Sequence, residues 1–341
     1  MKPTIAVDLA KSVFEIAVSR DPGKVAERHR LSRARFLPFF AQREASTVLV
    51  EACSSAHFWA RELERLGHHV VLLPPHLVRP YRRRHHKTDR ADAKALLEAF
   101  RNQEIHPVPA KSVELQTLAA LHRLRSGWLA TRTARINAVR GILRELGFTI
   151  PQGAGQVVPR VREILDEAEM PGALRLTLTA ACSEIRDLEA RAQSATKQLE
   201  ALAPTIPAVE HLLSVPGIGI LTATALVAFV AEIHRFPSGR HFASYLGLCP
   251  RESSSGNIRR LGRISKRGDT YLRMLLIHGA RSSLLAAKRR VQKRPLDRWV
   301  LDLEQRRGHN RAAVALANKM ARSAWTVWKE DRDYRVERRA A

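Results

Sequence analysis

The stretch Thr4-Ile5-Ala6-Val7-Asp8 decides the fold of the N-terminal part of this chain. Its first four residues form a short, mainly apolar run, which is typical of a buried β-strand. A second run, Val48-Leu49-Val50, ends in the same way at Glu51. Because an unpaired buried charge is costly, a carboxylate at the end of each strand is a poor core residue and indicates a functional site.

A second pair of acids lies in the stretch Lys87-Thr88-Asp89-Arg90-Ala91-Asp92-Ala93, where a helical pattern begins. Asp89 and Asp92 are three residues apart, so both face the same side of that helix. Two strand-end acids and a helical pair can meet only if positive charge lies between them, and Mg²⁺ fits because it prefers hard oxygen ligands. Each acid alone is better explained by a turn, a cap or a solvated helix face. The order of the four favours a metal site.

Strands alternate with helices through the first hundred residues, which predicts an α/β domain over residues 1–110. The expected strands and helices are listed here in chain order: strands at 4–9, 13–19 and 25–31, a helix at 33–44, a strand at 47–51, a helix at 56–66, a strand at 69–73 and a helix from near Asp89.

The middle segment, residues 111–205, has a heptad pattern. A 3,4 repeat from 115 to 146 has seven apolar residues in ten positions, and one from 174 to 202 is apolar at all nine. Such seams predict two long helices that pack as a coiled coil, within one chain or between the chains of a dimer. Three polar residues of the first seam set its register, reach phosphate or simply weaken the seam, and these alternatives stay open: His122, Arg125 and Arg132.

A mainly helical C-terminal domain is expected over residues 206–341. It includes Ser214-Val215-Pro216-Gly217-Ile218-Gly219, followed by an apolar helix through Ile233, a pattern similar to a helix-hairpin-helix. Gly217 and Gly219 permit a tight turn, and backbone N–H groups at the start of the next helix can hold a phosphate. The alternative is a simple packing unit of two helices.

A basic, serine-rich segment covers residues 250–273, with seven Lys/Arg and two acids. Its serines stand beside Gly256, which predicts an exposed, mobile loop. A serine hydroxyl beside arginines is suited to attack phosphorus, because guanidinium groups stabilise the developing charge. The alternative is a flexible linker beside a phosphate-binding patch, and local composition favours that linker. The predicted nucleic-acid contacts here are Arg251, Arg259, Arg260, Arg263, Lys266 and Arg267.

The whole chain of 341 residues is strongly basic, with 58 Lys/Arg against 33 Asp/Glu and a formal net charge of +25. Such an excess indicates a polyanionic partner, with nucleic acid favoured over a membrane surface. A further basic group is expected to contact it: Arg82, Arg83, Arg84 and Lys87. No apolar run is long enough to span a membrane, and no signal peptide is evident. Three scattered cysteines suit a reduced compartment, so we expect a protein of the bacterial cytoplasm that associates with the nucleoid when bound.

Together, these motifs resemble the DEDD-type transposases of insertion-sequence family one-ten, which are similar to the Piv recombinase and include bridge-RNA-guided enzymes. The resemblance covers nearly the whole chain. It rests on the following stretches: Ala6-Val7-Asp8-Leu9-Ala10-Lys11, Glu51-Ala52, Lys87 to Ala93, Val215 to Gly219, Phe242-Ala243-Ser244-Tyr245-Leu246-Gly247-Leu248, Pro250-Arg251-Glu252, Ser255-Gly256, Ile264-Ser265-Lys266-Arg267-Gly268-Asp269, and Ala312-Ala313-Val314-Ala315-Leu316-Ala317-Asn318-Lys319.

The resemblance implies an α/β RuvC-like domain of the RNase H fold, a coiled-coil insertion and a C-terminal transposase domain. It implies that Asp8, Glu51, Asp89 and Asp92 bind Mg²⁺ and that Ser255 attacks DNA to give a phosphoserine intermediate. Ser253 and Ser254 directly precede Ser255 and remain alternatives for the nucleophile.

The same resemblance implies several partners. These are donor and target DNA, a structured bridge RNA from the element, and other copies of the chain, as a homodimer that forms a tetramer in the synaptic complex. The family site combines the acids of one protomer with the serine of another.

Two rival functions remain open on sequence grounds. A RuvC-like Holliday-junction or structure-specific nuclease would need the four acids but would use metal-activated water, without the serine. A non-enzymatic binding protein would need the basic patches alone. A covalent protein–DNA adduct discriminates among the three.

Overall fold

The structure is a computed structural model that describes residues 3–82 and 88–335. It divides into an N-terminal unit, Met1–Glu114, and a C-terminal unit, Leu115–Ala341. The mixed α/β sheet expected at the N-terminus and the mainly helical remainder are both confirmed. The predicted boundaries at 110 and 205 stay predictions, and the helices of residues 115–205 lie in the second unit.

The described part of the N-terminal unit contains a five-stranded sheet. Its strands are β1 (Thr4–Leu9), β2 (Val13–Ser19), β3 (Glu27–Ser32), β4 (Thr47–Glu51) and β5 (His69–Leu73). They lie in the order β3-β2-β1-β4-β5. The pairs β1–β2 and β2–β3 are antiparallel, whereas β1–β4 and β4–β5 are parallel. The carboxyl ends of β1, β4 and β5 therefore meet at one edge.

Helices cover both faces of this sheet. They are α1 (Arg33–Ala41), α2 (Ala56–Arg65), α3 (Pro75–Val78) and α4 (Asp89–Phe100). Because successive strand residues point to opposite faces, Val7 packs with Trp59 of α2, whereas Ala6 packs with Leu96 of α4. Strands buried on both sides in this way read as continuous apolar runs.

The predicted bounds of β1, β2, β4 and β5 agree with the structure, and three other elements are shorter than predicted, α2 by one residue. Strand β3 begins at Glu27, two residues later than expected. Helix α1 ends at Ala41 instead of residue 44, because the chain turns there and Nη2 of Arg43 lies 2.8 Å from the carboxylate of Glu27.

The C-terminal unit is helical apart from one small sheet. Its helices are α5 (Val113–Glu145, whose first turn straddles the unit boundary), α6 (Val157–Glu167), α7 (Gly172–Leu202), α8 (Pro207–Leu213), α9 (Ile220–Val230), α10 (Gly239–Tyr245), α11 (Thr270–Arg289), α12 (Pro295–Arg307) and α13 (His309–Lys329). Its strands are β6 (Pro250–Glu252) and β7 (Leu261–Ile264). None of the helices in the described ranges is long and apolar enough to cross a membrane.

Helices α5 and α7, which carry the two predicted seams, lie side by side and antiparallel in one chain. Nε of Arg125 donates to Oγ1 of Thr196 at 2.8 Å, and Nη1 of Arg132 lies 3.0 Å from Oε1 of Glu189. These polar seam residues therefore set the register between the helices. Helix α6, which the sequence pattern did not predict, closes one end of the pair through Ile164. The coiled-coil description itself stays a prediction.

The last six helices share one core, which includes Leu226, Phe242, Leu276 and Leu316. Helix α9 ends at Val230, before the predicted end at Ile233, because Ala231 adopts a positive φ of 65°. A left-handed residue breaks the helical hydrogen-bond pattern, and alanine gives no sequence signal for such a conformation.

Candidate functional site

The first candidate site lies at the edge of the sheet where β1 and β4 end. The parallel register pairs Val7 with Val50, so Asp8 and Glu51 occupy the next position on neighbouring strands. Both carboxylates point to the face that α4 covers, because side chains alternate along each strand and Ala6 lies on that face. The fold therefore brings together two acids that are 43 positions apart in the sequence.

Helix α4 adds the other two predicted acids. Oγ1 of Thr88 caps the helix by accepting a hydrogen bond from the N–H of Ala91 at 3.2 Å. Asp89 and Asp92 lie in the first turn, where the helix dipole stabilises negative charge. Asp89 is exposed, whereas the side chain of Asp92 is largely buried.

The four acids act on one another electrostatically. The pKa of Asp8 is raised from 3.8 to about 6, first by burial and then by the negative charges of Asp92, Asp89 and Glu51, against a lowering effect of Arg82. A raised carboxyl pKa of this kind marks a place where negative charge is concentrated. Such concentration is a recognised property of functional sites.

Arg82 lies between two of these acids. Its Nη2 donates a hydrogen bond to Oε2 of Glu51, and its Nε lies 3.1 Å from Oδ1 of Asp92. The second contact is an ion pair without hydrogen-bond geometry, since neither atom has a hydrogen-bond partner among the described residues. Arg82 was predicted to contact nucleic acid, and here it contacts the acids.

The donor chemistry of this site fits a divalent cation. Its ligating groups are carboxylate oxygens, which Mg²⁺ prefers, and the Arg82 guanidinium already holds a positive charge between Glu51 and Asp92. Among the residues that the structure describes, no three His, Cys, Asp or Glu side chains are arranged to hold one ion. The assignment of Asp8, Glu51, Asp89 and Asp92 as Mg²⁺ ligands therefore stays a proposal.

Glu15 is an acid of this region that the sequence analysis missed. It pairs directly with Asp8 in the antiparallel register of β1 and β2 and is 6% exposed. Nε of Arg90 lies 3.4 Å from its Oε1. The signal was present in the sequence, because a glutamate in the middle of the strand Val13–Ser19 is unusual among buried apolar residues.

A groove of about 630 Å³ lies beside α4, lined by residues of that helix together with Arg28 of β3 and Tyr81. Its lining carries three cations against one acid: Arg28, Arg90 and Lys94 against Glu98, together with Tyr81. The Tyr81 hydroxyl accepts a hydrogen bond from Nδ2 of Asn102 at 2.9 Å, which orients the ring. Basic groups with an aromatic side chain suit a nucleic-acid strand.

Three of the predicted basic contacts lie outside the described residues: Arg83, Arg84 and Lys87. The groove contains Arg28 and Lys94, which the sequence analysis did not select, because their proximity to Arg90 depends on the packing of α4 against the sheet.

The second candidate site is the hairpin of β6 and β7 in the C-terminal unit. The predicted irregular loop is replaced by hydrogen-bonded strands, with Gly256 and Asn257 as a two-residue turn. The N–H of Ser255 donates to the carbonyl oxygen of Ile258 at 3.2 Å, and the reverse bond is 3.1 Å. Gly256 has φ +54°, as the first central position of such a turn requires.

The three candidate serines have different hydroxyl environments. Ser254 Oγ donates to Oε1 of Glu252 at 2.8 Å and accepts the N–H of Arg260 at 3.2 Å. The hydroxyls of Ser253 and Ser255 have no hydrogen-bond partner among the described residues, and both are exposed. Ser255, at the edge of the turn, is therefore open to a substrate.

Close backbone packing holds the base of this hairpin. Gly247 (φ +72°) and Gly268 (φ +77°) lie so near the opposing backbone that a Cβ on either would overlap it. Buried Arg273 donates through Nη1 to the carbonyl oxygens of Leu246, at 3.3 Å, and Arg267, at 2.9 Å. The hairpin therefore leaves the helical core at a fixed point.

The predicted cations of this segment are all exposed, and two of them make contacts in the hairpin: Nη2 of Arg251 donates to the carbonyl oxygen of Ser265 at 3.2 Å, and Nε of Arg259 lies 3.3 Å from Glu252. Arg260, Arg263, Lys266 and Arg267 present their side chains to solvent. Their nucleic-acid contacts stay a prediction.

The glycine turn between α8 and α9 packs into the helical core. Gly217 has φ +91°, and a Cβ there would lie 2.8 Å from Cε of Met320 and 3.1 Å from the carbonyl oxygen of Gly279. This close approach gives Gly217 a packing role. Gly219 is exposed at the N-terminus of α9, and phosphate binding at either glycine stays a prediction.

Two family models match this chain, one in the region of each candidate site. Residues 5–148 match the model of a family of DEDD transposases of IS110 type, described as a transposase. Residues 209–295 match the model described as "Transposase IS116/IS110/IS902 family". The two matches contain the acids and the hairpin, respectively.

Several relatives are similar over nearly their whole length. A "Probable family 20 transposase" of Pseudomonas aeruginosa is 40% identical, over 97% of this chain and 98% of its own. The "Transposase for insertion sequence element IS1111A" of Coxiella burnetii is 36% identical, over 97% and 91%. The "Transposase for insertion sequence element IS1328" of Yersinia enterocolitica is 34% identical, over 95% and 96%.

Proposed function

The chain belongs to the IS116/IS110/IS902 family of transposases, and from this premise we propose that it exchanges DNA strands through a covalent Ser255–DNA intermediate. Insertion-sequence transposition, with the DNA cleavage and strand transfer that it entails, is the activity of the family. The proposal adds the nucleophile, the Mg²⁺ ligands and RNA guidance.

One observation carries the proposal. Asp8, Glu51, Asp89 and Asp92 come from three separate elements, and burial together with the charges of the other three acids raises the pKa of Asp8 to about 6. Negative charge gathered in this way at the carboxyl edge of a sheet requires a cation for its function. The DEDD family match supports a divalent metal, and the mixed sheet supports the RuvC-like assignment.

Bound Mg²⁺ would neutralise charge on the scissile phosphate and make its phosphorus easier to attack. The acids would hold and orient it from β1, β4 and α4. The Ser255 oxygen forms a bond to phosphorus while one ester bond of the phosphate breaks. The serine releases its proton, and the departing sugar oxygen takes up one. The broken DNA phosphodiester is thus replaced by a serine–DNA phosphodiester, which remains available for the later strand exchange.

The hairpin supports Ser255 as the attacking group. Its hydroxyl, like that of Ser253, is exposed and has no hydrogen-bond partner among the described residues, whereas that of Ser254 is held by Glu252 and Arg260. Cations of the same hairpin, such as Arg263, would stabilise charge that develops on the phosphate. The site would combine the acids of one protomer with the serine of another, in a dimer that forms a tetramer on synapsis.

The basic groove beside α4 supports nucleic acid as the partner. Arg28, Arg90 and Lys94 would contact phosphates, and Tyr81 would stack on a base. A bridge RNA of the element would pair with donor and target DNA, so that base pairing supplies the sequence specificity, as in other guided systems. Such a protein would act in the cytoplasm, on the nucleoid.

A trapping experiment tests the nucleophile. Protein, guide RNA and nicked donor DNA are incubated with Mg²⁺, and denaturing electrophoresis detects a covalent adduct. We expect the adduct with wild type, with Ser253→Ala and with Ser254→Ala, and none with Ser255→Ala. An adduct that is lost in Ser254→Ala and kept in Ser255→Ala would move the nucleophile by one residue.

The same experiment separates the rival nuclease. Cleaved DNA without an adduct, unchanged in all three serine variants and abolished in Asp8→Asn, would establish a RuvC-like nuclease that uses water. Sequencing of RNA that copurifies with the protein tests the guide, and the absence of a discrete element-derived RNA would contradict RNA guidance.

A further inference from the structure

We infer that Arg82 is a built-in cation that holds Glu51 and Asp92 together and that a divalent metal must displace when it binds. The inference rests on the proposed function, in which these acids are metal ligands. It assigns a role to Arg82 that the proposed function leaves open.

The position of Arg82 is fixed by the chain before it. Strand β5 ends at Leu73, α3 follows, and the N–H of Arg82 donates to the carbonyl oxygen of Arg79 at 3.1 Å. The side chain reaches Glu51 on β4 with Nη2 and Asp92 on α4 with Nε. One guanidinium therefore joins two acids that belong to different elements.

Burial makes this contact different from a surface ion pair. The side chains of Arg82, Glu51 and Asp92 are 27%, 22% and 13% exposed. Attraction between charges is stronger in such surroundings than in water, and removal of one partner leaves the other charges uncompensated. Without a metal, the acids would repel one another if Arg82 left.

Arg90 provides the contrast on the other side of Asp8. Its side chain is 74% exposed and its Nε lies 3.4 Å from a single acid, Glu15. Arg90 therefore neutralises one buried carboxylate from outside, whereas Arg82 occupies the space between two proposed ligands. Only the second arrangement competes directly with a metal.

Displacement is the only route by which Arg82 can release the acids. A guanidinium stays protonated at any physiological pH, so its charge must move away from the carboxylates. The contact with Asp92 lacks hydrogen-bond geometry, which leaves Oδ1 able to accept a stronger cation. The displaced guanidinium would then be free to bind a phosphate oxygen pair.

Metal binding by the full-length protein tests the inference without any assay of activity. Mn²⁺ serves as the probe, and its free concentration is measured by electron paramagnetic resonance during titration. We expect Arg82→Gln to bind Mn²⁺ about 10-fold more tightly than wild type, because the ion no longer has to displace the guanidinium. A tenfold change in affinity corresponds to about 1.4 kcal/mol. Arg82→Lys keeps the charge and should lie between them. Arg20→Gln, at an arginine that is 70% exposed and pairs with Glu27 outside the site, is the matched control and should bind within about twofold of wild type.

A second readout guards against misfolded variants. Without metal, Arg82→Gln should unfold at a lower temperature than wild type, and Mn²⁺ should raise its melting temperature by more than it raises that of wild type. Far-UV circular dichroism shows whether each variant is folded. If Arg82→Gln fails to fold without metal and folds with Mn²⁺, the inference is supported.

Two negative outcomes are distinguishable. If wild type binds Mn²⁺ and Arg82→Gln binds it no more tightly, the displacement inference is wrong and the metal site stands. If neither protein binds Mn²⁺, with or without a DNA duplex, the proposed metal function fails, and this inference fails with it. Abolished Mn²⁺ binding in Asp92→Asn would show that the probe reports on this site.

Discussion

The acid centre of the N-terminal unit and the serine hairpin of the C-terminal unit are built on opposite principles. Asp8, Glu51, Arg82 and Asp92 meet only because the sheet and α4 bring distant residues together, and their charges are partly buried. The hairpin is one continuous segment, 250–264, that is exposed and hydrogen-bonded within itself. The partly buried charges of the acid centre lower the stability of the folded protein, whereas the exposed serines and arginines of the hairpin hardly affect it.

The largest expected effect separates activity from stability at Asp8. Asp8→Asn should reduce strand exchange by at least about 10³-fold, because a proposed ligand of the metal is lost. The same change should stabilise the metal-free protein by up to about 3 kcal/mol, since burial and like charges hold the pKa of Asp8 at about 6 instead of 3.8. Denaturant unfolding and an exchange assay measure the two effects.

Two controls sharpen that result. Asp21→Asn, at an exposed acid of the same unit, should change neither quantity. Ser255→Ala should abolish exchange and shift stability by less than about 0.5 kcal/mol, as expected for an exposed position. Loss of stability in Asp8→Asn would contradict the idea that the acid centre is strained.

The second effect tests whether the hairpin depends on its base. Gly268→Ala should destabilise the protein by about 2–4 kcal/mol and reduce exchange, because Gly268 has φ +77° and a Cβ would overlap the carbonyl oxygen of Tyr245. Thermal unfolding measures the loss. Gly262→Ala is the matched control within β7, since its nearest contact would be an ordinary 3.8 Å. Equal melting temperatures for the two variants would show that the backbone around Gly268 can shift to accommodate a Cβ at little cost in stability.

The smallest effect concerns a buried group in neither site. His122 lies between α5, α9 and α11, with Nδ1 3.0 Å from the Tyr271 hydroxyl and Nε2 3.0 Å from Thr224 Oγ1. Burial, with a smaller contribution from Arg125, lowers its pKa from 6.5 to about 4. The unfolded chain therefore binds the proton first as pH falls, and stability should decrease between pH 6.5 and 4 by at most about 1.4 kcal/mol per pH unit.

Denaturant unfolding at several pH values measures this slope, and His122→Gln should remove it. The contrast with Asp8 lies in the sign, because burial of the acid costs stability at neutral pH whereas burial of neutral His122 costs it only in acid. An identical slope in His122→Gln would assign the acid sensitivity to other groups.

The sequence predicts elements well where one signal dominates. Strand β4 has Val48, Leu49 and Val50 in an unbroken apolar run, and its bounds agree with the prediction. Helix α6 was missed because Pro151 to Gly155 reads as a break, whereas its helical face depends on Leu143 and Ile185 of neighbouring helices. Local patterns carry no information about such partners.

The sites show the same division. Asp8 and Glu51 were selected because each ends a buried strand, and Asp89 and Asp92 because they lie three residues apart at the start of a helix. Ser255 was selected because the resemblance to the transposase family implies it, since local composition alone favours a linker. The contact of Arg82 with Glu51 and Asp92 was missed, because it depends on how the turn at Arg79 aims one side chain. Glu15 was missed although a glutamate among the apolar residues of β2 is conspicuous in the sequence, and only its pairing with Asp8 needed the folded sheet.

The antiparallel pair of α5 and α7 also sets a length scale. Helix α5 has 33 residues, and at 1.5 Å per residue it is about 50 Å long. Arg125, Arg132 and Arg135 join the middle of α5 to α7, so the two helices brace each other there. At 3.4 Å per base pair, the length of α5 equals about 15 base pairs of duplex. A rigid element of this length would separate groups at its two ends by about one and a half turns of a DNA duplex.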